Sequence, residues 1–136
     1  MKLNDLLYLK EIQLINSMTA QYNPGTHKLL TLQVDEESLL KNIDDFLATA
    51  TVEIEKNKLN IVGLSTHTFD GGGFTVAICL MESHICIHTW PEFKQLTLDI
   101  YLCNYLRDNT EKVEGLSQVF KAYFQSKVVK EITVNR

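Results

Sequence analysis

The stretch FTVAICLMESHICIHTWPEFKQLTLDIYLC, residues 74 to 103, contains the pattern that decides the fold. Apolar residues alternate with polar or small ones along most of it, and Pro91 interrupts the alternation. A period of two is typical of β-strands that bury one face. It predicts strands over 74–81, 84–90 and 95–103, and a similar run predicts a strand over 58–66. Four neighbouring strands joined by short turns favour an antiparallel sheet.

The flanking segments predict three helices and two further strands. Helical spacing of apolar residues or a β-like pattern predicts, in chain order, a helix over 3–20, a strand over 28–34, a helix that opens at Asp35, a helix over 110–125 and a strand over 128–134. The turn cluster Tyr22-Asn23-Pro24-Gly25 separates the first helix from the rest. We therefore predict an N-terminal helical arm, residues 1–25, and one α+β domain, residues 26–136. The domain is expected to be a two-layer α/β sandwich, with helices on one face of a mostly antiparallel sheet.

Composition excludes several classes of function. A formal net charge of -4 in 136 residues argues against a nucleic-acid-binding protein, because lysines and arginines would have to neutralise phosphates. Cys79, Cys86 and Cys103 are odd in number and lack CxxC spacing, which is typical of reduced thiols. The N-terminus lacks the apolar core of a signal peptide, and no later run is long enough to span a bilayer. We expect a cytoplasmic protein that contacts no membrane.

Reactive side chains are concentrated in MESHICIHTWPEF, residues 81 to 93. If 84–90 is a strand, His84, Cys86 and His88 share one face and the residues between them share the other. Two histidines four positions apart on a strand are separated by about 13 Å, too far to bind one metal ion. We therefore predict no metal site. The residue types alone leave two interpretations open: half-buried strand residues with hydrogen-bond partners, or a site that uses serine, cysteine and histidine.

The segment ESHICIHTWPE, followed at short distance by LDIYLC, resembles the signature of bacterial and archaeal S-adenosylmethionine decarboxylases. The resemblance extends upstream through Thr75, the glycine turn and His67-Thr68-Phe69 to THKLL at 26–30. These proteins are self-processing pyruvoyl enzymes of polyamine synthesis. The resemblance implies that this chain converts S-adenosylmethionine to its decarboxylated form, the aminopropyl donor for spermidine biosynthesis.

The resemblance also implies catalytic roles. Ser83 would attack the carbonyl of Glu82, the chain would break between these residues, and Ser83 would become a pyruvoyl group. That group is the implied cofactor, which forms a Schiff base with the substrate amine. His88 is implied as the processing base and Thr75 as support for the acyl shift. Cys103 is implied as a further support for that shift and as the proton donor after carbon dioxide leaves.

Substrate binding and assembly follow from the same resemblance. Phe69 aligns with an aromatic residue that stacks on adenine, and Glu92 aligns with a carboxylate that holds the ribose hydroxyls. Family members of this size form homodimers with active sites at the interface. Asn104 stands where the family usually has glycine, and DGGG at 70–73 replaces a loop commonly written SPQG. Two alternatives stay open: a pyruvoyl decarboxylase of the same fold that acts on arginine or ornithine, and a non-processing homologue that serves as a binding or regulatory subunit.

Overall fold

The computed structural model describes residues 2–19 and 21–136, with the backbone alone described over 15–19. The helices are α1 (Leu3–Thr19), α2 (Ile43–Lys56) and α3 (Thr110–Tyr123). The strands are β1 (Thr26–Gln33), β2 (Ile61–Thr68), β3 (Phe74–Leu80), β4 (Ser83–Trp90), β5 (Gln95–Leu102) and β6 (Lys127–Asn135). Short 3-10 turns cover Glu37–Leu40 and Pro91–Phe93. Within the described ranges, no helix combines the length and the apolar character needed to cross a membrane.

The six strands form one sheet in the order β2-β3-β4-β5-β1-β6. Every neighbouring pair is antiparallel. The hairpins β2-β3, β3-β4 and β4-β5 are local, as predicted, whereas β1 inserts between β5 and β6 from the other end of the chain. The predicted α+β sandwich with an antiparallel sheet is therefore confirmed.

The core lies between the sheet and the helices α2 and α3. Along β4, Ile85 and Ile87 have no solvent exposure, and Thr89 is 4% exposed. On the helix side the ring of Phe46 lies 5.8 Å from Phe74 and 5.6 Å from Phe120. A buried aliphatic side chain such as that of Ile85 or Ile87 stabilises the fold by about 1.5–3 kcal/mol relative to the same side chain at an exposed position. The same alternation leaves the other face of β4 for polar groups, as the sequence predicted.

The start of α2 differs from its prediction. The acidic run at Asp35 starts a 3-10 turn, in which the Glu36 carboxylate accepts the Ser38 backbone N–H at 3.3 Å. The α-helix begins at Ile43, because the Asn42 side chain accepts the Asp45 N–H at 3.0 Å and caps it. The apolar period of 3.6 runs through both the 3-10 turn and the helix, so the period does not show where the turn ends and the helix begins.

The first residues of the predicted strand 58–66 belong instead to the end of α2. Lys58 has a φ of 56°, and the Leu59 N–H donates to the Ile54 carbonyl at 3.1 Å. A left-handed residue followed by such a bond is typical of a helix C-terminus. The strand β2 therefore begins at Ile61 and ends at Thr68, so the prediction was wrong at its first residues.

The predicted helix of the N-terminal arm is confirmed as α1 over the described residues, while Ala20 lies outside them. The apolar side chains of its first twelve positions are exposed, with fractions that range from 37% at Ile12 to 73% at Leu3. None of the arm residues whose side chains the structure describes belongs to the buried hydrophobic core of the sheet and its two helices.

A buried lysine joins β1, α3 and β6. Lys28 is 7% exposed, its ammonium group donates to Glu114, and it lies 3.0 Å from Glu131. Lys121 also donates to Glu131, at 3.0 Å. Burial alone would lower the pKa of Lys28, but the hydrogen bonds to the two carboxylates outweigh it and raise the pKa. The same bonds lower the pKa values of Glu114 and Glu131.

Replacement of Lys28 by methionine should lower the free energy of unfolding at pH 7 by about 1.5 kcal/mol, because charge-assisted hydrogen bonds are lost. The carboxyl groups of Glu114 and Glu131 have pKa values below their ordinary range in the folded protein. Their contribution to stability is therefore complete at pH values above the ordinary pKa, and it is lost as the pH falls through the folded-state pKa values. The difference between wild type and Lys28→Met should therefore shrink below about pH 4.5 in urea titrations. Lys56→Met, which removes an exposed pair with Glu53, should change stability by only about 0.5 kcal/mol. An equal effect of both substitutions at pH 7 would contradict the prediction.

Candidate active site

The peptide bond between Glu82 and Ser83 lies in a strained turn at the start of β4. Ser83 has a φ of 113°, which residues with a side chain rarely adopt. The backbone N–H of Cys103 donates to the Glu82 carbonyl at 3.0 Å. A carbonyl that already accepts a fixed N–H is polarised for nucleophilic attack. We call Glu82, Ser83 and Cys103, where the sequence analysis predicts self-cleavage, the cleavage end of the sheet.

The carboxylate of Glu82 is held by two residues of the loop after β5. Arg107 donates through Nη2 to Oε1 at 2.6 Å and through Nε to Oε2 at 3.2 Å. The amide of Asn109 donates to Oε2 at 2.6 Å. The hydrogen bonds from Arg107 and Asn109 lower the pKa of Glu82, so this group is a carboxylate at neutral pH. The sequence contains no motif that connects Arg107 and Asn109 to Glu82, and neither of these two loop residues was predicted.

A second group of predicted residues lies near the other end of β4. Thr75 pairs with His88 across β3 and β4, and the Thr75 hydroxyl is in hydrogen-bond contact with Nδ1 of His88. The same hydroxyl lies 3.3 Å from the carbonyl of Ile87. His67, on β2, pairs with Thr75 on β3. The ring of His67 meets the ring of Phe69 edge-on, with the ring centres 4.6 Å apart. We call Phe69, Thr75, His88 and Glu92 the histidine end.

The histidine end borders an open cavity of about 500 Å³. Its lining includes both predicted substrate-binding residues, Phe69 and Glu92, together with Trp90, Glu37 and residues of the glycine turn. Gly73 is required there, because an added Cβ would lie 2.9 Å from the Thr89 carbonyl oxygen and from Pro91. The cavity combines aromatic and carboxylate groups, a composition suited to a polar ligand with a flat ring.

Between the two ends, the face of the sheet opposite the helices carries further polar groups. The ring of His27 lies 5.7 Å from His84 and 5.3 Å from Tyr101. Burial lowers the pKa of His27, and burial together with the neighbouring Asp99 raises the pKa of the Cys86 thiol. In the described part of the chain, no three His, Cys, Asp or Glu side chains are grouped so that they could hold a metal ion.

The structure therefore separates residues that the sequence analysis assigned to one reaction. Ser83 and His88 lie on the same strand, five positions apart. At the rise of a β-strand, this spacing is about 16 Å. Within one chain, the cleavage end contains the predicted nucleophile and thiol, whereas the histidine end contains the predicted base and substrate-binding groups.

Comparison with known proteins identifies the family. The family model for S-adenosylmethionine decarboxylase matches residues 26–136. The chain belongs to the S-adenosylmethionine decarboxylase family. A family member from Thermodesulfovibrio yellowstonii, an S-adenosylmethionine decarboxylase proenzyme, is 28% identical over 115 residues, which cover 85% of this chain and 82% of the relative. An arginine decarboxylase proenzyme from Hyperthermus butylicus is 40% identical, but over only 73 residues that cover 52% of this chain and 50% of the relative.

A solved structure supports the fold of this S-adenosylmethionine decarboxylase family member. The crystal structure of the adenosylmethionine decarboxylase from Aquifex aeolicus superposes with a TM-score of 0.69 at 21% sequence identity. The superposition covers 85% of this chain and 91% of that chain. At this level of identity, the comparison establishes a shared fold.

The strain at Ser83 predicts an unusual order of stability for two variants. Ser83→Gly should be more stable than Ser83→Ala by about 1 kcal/mol, because glycine adopts a positive φ without a steric cost. Both variants lack the Ser83 hydroxyl, so urea unfolding compares chains that differ only in a methyl group at position 83. At the neighbouring His84, whose φ is not positive, the order should reverse, and His84→Ala should be the more stable. Equal stabilities of Ser83→Gly and Ser83→Ala would contradict strain at this position.

Proposed function

We propose that this chain is a self-processing, pyruvoyl-dependent decarboxylase that converts S-adenosylmethionine to its decarboxylated form for spermidine biosynthesis. The observation that carries the proposal is the Glu82-Ser83 bond, where a positive φ at Ser83 meets an N–H donor on the Glu82 carbonyl. Stored backbone strain at a serine, next to a polarised carbonyl, favours attack by the hydroxyl. A serine that only packs in a strand needs neither feature.

Self-cleavage follows from these groups. The Ser83 oxygen bonds to the Glu82 carbonyl carbon, the C–N bond breaks, and an ester with a free Ser83 amine results. Removal of the Ser83 α-proton by a base breaks the Cβ–Oγ bond and releases the main-chain carboxylate of Glu82. The dehydroalanine left at position 83 takes up one water and loses one ammonia to become the pyruvoyl group. The Cys103 N–H stabilises the negative charge that develops on the Glu82 oxygen during the first step.

The residues of the cleavage end fit the pyruvoyl group and the decarboxylation. A pyruvoyl group supplies an electron sink for the α-carbon of a bound amino acid. Cys103 follows β5 directly, and the preceding residue Leu102 pairs with Ser83 across β4 and β5, which keeps the Cys103 backbone beside the N-terminus that cleavage would create. We assign to its thiol the delivery of a proton to the α-carbon.

The cavity at the histidine end suits an adenosyl group. Phe69 is 53% exposed, so its ring is available to stack on a base. The Glu92 carboxylate on the same cavity can accept hydrogen bonds from ribose hydroxyls. Trp90 adds a second aromatic face, and aromatic faces attract a sulfonium cation. These assignments support S-adenosylmethionine as the substrate.

We propose that a homodimer completes the site. Within one chain the predicted base His88 lies about 16 Å along β4 from Ser83, too far to take its α-proton. The sheet face that α2 and α3 leave uncovered carries His84, Cys86 and His88, and it joins the two ends. A two-fold pairing of two such faces, with the strands reversed, would bring the histidine end of one chain to the cleavage end of its partner. A cytoplasmic location is part of the proposal, in keeping with three free cysteines.

One alternative substrate has a specific observation behind it. The arginine decarboxylase proenzyme from Hyperthermus butylicus shares 40% identity with this chain over its matched half. The longer matches, such as the one to Thermodesulfovibrio yellowstonii, are to S-adenosylmethionine decarboxylase proenzymes. We therefore favour S-adenosylmethionine, and arginine is the competing substrate to assay.

Denaturing intact-mass analysis tests self-cleavage. Freshly purified protein should yield two fragments that divide between Glu82 and Ser83, the second with a pyruvoyl group at its N-terminus. Ser83→Ala should stay whole, because it lacks the attacking oxygen. The cleaved protein should then release carbon dioxide from S-adenosylmethionine in preference to arginine or ornithine. A wild-type chain that stays whole on prolonged incubation would favour a non-processing subunit, and preference for arginine would overturn the substrate assignment.

Complementation tests the shared site. His88→Ala alone should remain uncut, because each of its two sites lacks the base. When this variant is co-expressed with Ser83→Ala, its chains should be cut in mixed dimers, since Ser83 of one chain then meets His88 of the other. The Ser83→Ala chains stay whole and serve as the internal control. If the His88→Ala chain stays uncut in verified mixed dimers, the base does not act across the interface.

A further inference from the structure

The Glu82 side chain takes part in a closed ring of hydrogen bonds that also contains the reacting carbonyl. The Cys103 N–H donates to the Glu82 carbonyl at 3.0 Å, and the Cys103 carbonyl accepts from the Asn109 amide at 2.8 Å. The same amide nitrogen donates to the Glu82 carboxylate at 2.6 Å. Both ends of the Cys103 residue are thus fixed relative to Glu82, and Asn109 closes the ring.

The side chain of Asn109 does not make the capping hydrogen bond that is usual at its position. It occupies the N-cap position of α3, where an asparagine side chain usually accepts a backbone N–H of the first turn. No such capping bond is made, and both amide hydrogens point instead to Glu82 and Cys103. Asn109 is fully buried, and its backbone N–H donates to the Asn104 side chain at 2.7 Å. Its orientation is therefore fixed toward the cleavage end.

Arg107 provides a positive charge next to the negative side chain of Glu82. Its guanidinium group contacts both oxygens of the Glu82 carboxylate and also donates to the Lys58 carbonyl at 2.8 Å, which anchors it to the end of α2. Attack by Ser83 creates a negative oxygen on the backbone of Glu82. An unpaired carboxylate on the same residue would repel that charge, and Arg107 neutralises it.

We propose that Arg107 and Asn109 are positioning residues for self-cleavage, which hold the Glu82 carbonyl on the Cys103 N–H and cancel the charge of the Glu82 side chain. This inference rests on the proposed function, since it concerns the step that makes the cofactor. Neither residue forms a bond to the reacting atoms. Their effect is exerted through Glu82 and Cys103, on the conversion of the peptide bond to the ester.

The test follows the cleavage of freshly synthesised chains over time on denaturing gels. Arg107→Met and Asn109→Leu should each slow cleavage by about 100-fold, the range seen when a reacting group is misplaced or an oxyanion donor is lost. Arg107→Lys should be intermediate, because it keeps the charge but not the two-pronged contact. Tyr105→Ala, an exposed residue of the same loop, is the matched control and should be cut at the wild-type rate.

Three measurements separate positioning from damage to the fold. In the His88→Ala background, hydroxylamine cuts any ester at Glu82, so the fraction cut reports the first step alone, and Arg107→Met should lower it. In the Glu82→Gln background, which removes the negative charge, Arg107→Met should slow cleavage much less than in wild type. Thermal unfolding of each variant shows whether it is folded.

The outcomes distinguish this inference from the proposed function. A wild-type chain that is never cut would overturn the proposed function and this inference with it. A wild-type chain that is cut, beside folded Arg107→Met and Asn109→Leu variants that are cut equally fast, would overturn this inference alone. If Arg107→Met slows cleavage as much in the Glu82→Gln background as in wild type, this inference is also contradicted, because the arginine would then act on a group other than the Glu82 carboxylate.

Discussion

The pairing of β4 with β3 on one side and β5 on the other determines where the reactive groups of this chain lie. Because side chains alternate along a strand, the register that buries Ile85 and Ile87 against the helices also directs His84, Cys86 and His88 to the opposite face. A slip of one residue would place histidines in the core and isoleucines on the outer face. The cost of that exchange keeps the polar face intact, and the remaining contacts of the site depend on it.

Much of the fold could be predicted from period and composition, but two kinds of feature could not. The period of two located the local hairpins, yet the insertion of β1 between β5 and β6 depends on contacts across most of the chain, which local patterns do not encode. The start of α2 was misplaced because the acidic run at Asp35 and Glu36 is as good a start signal as Asn42, and only the backbone shows that Glu36 caps a 3-10 turn while Asn42 caps the helix. At Lys58, a left-handed residue ended the helix inside a segment with strand-like alternation.

The candidate site was predictable as a set of residues and not as an arrangement. Motif resemblance pointed to Ser83, His88 and Cys103. The structure describes His88 on the expected strand, whereas Ser83 is the first residue of β4 and Cys103 follows β5, each one residue away from its predicted place. The rise per residue that separates His84 from His88 also separates Ser83 from His88, so the predicted nucleophile and the predicted base lie far apart within one chain. Arg107 and Asn109 lie 25 and 27 positions beyond Glu82, and only the folded loop brings them to it. Charged and amide residues in a polar loop carry no local sign of such a contact.

The insertion of β1 between β5 and β6 has a consequence for the folding of the molecule if the chain is cut after Glu82. This strand comes from the first segment of the chain, yet both of its neighbours, β5 and β6, come from the second. The two polypeptides would be interleaved within one sheet and would stay associated without a covalent link. Once unfolded, they could reassemble only through a bimolecular encounter, at a rate that depends on concentration, whereas the uncut precursor folds as a single molecule. Maturation would thus turn a chain that folds by itself into one whose native state is reached easily only once.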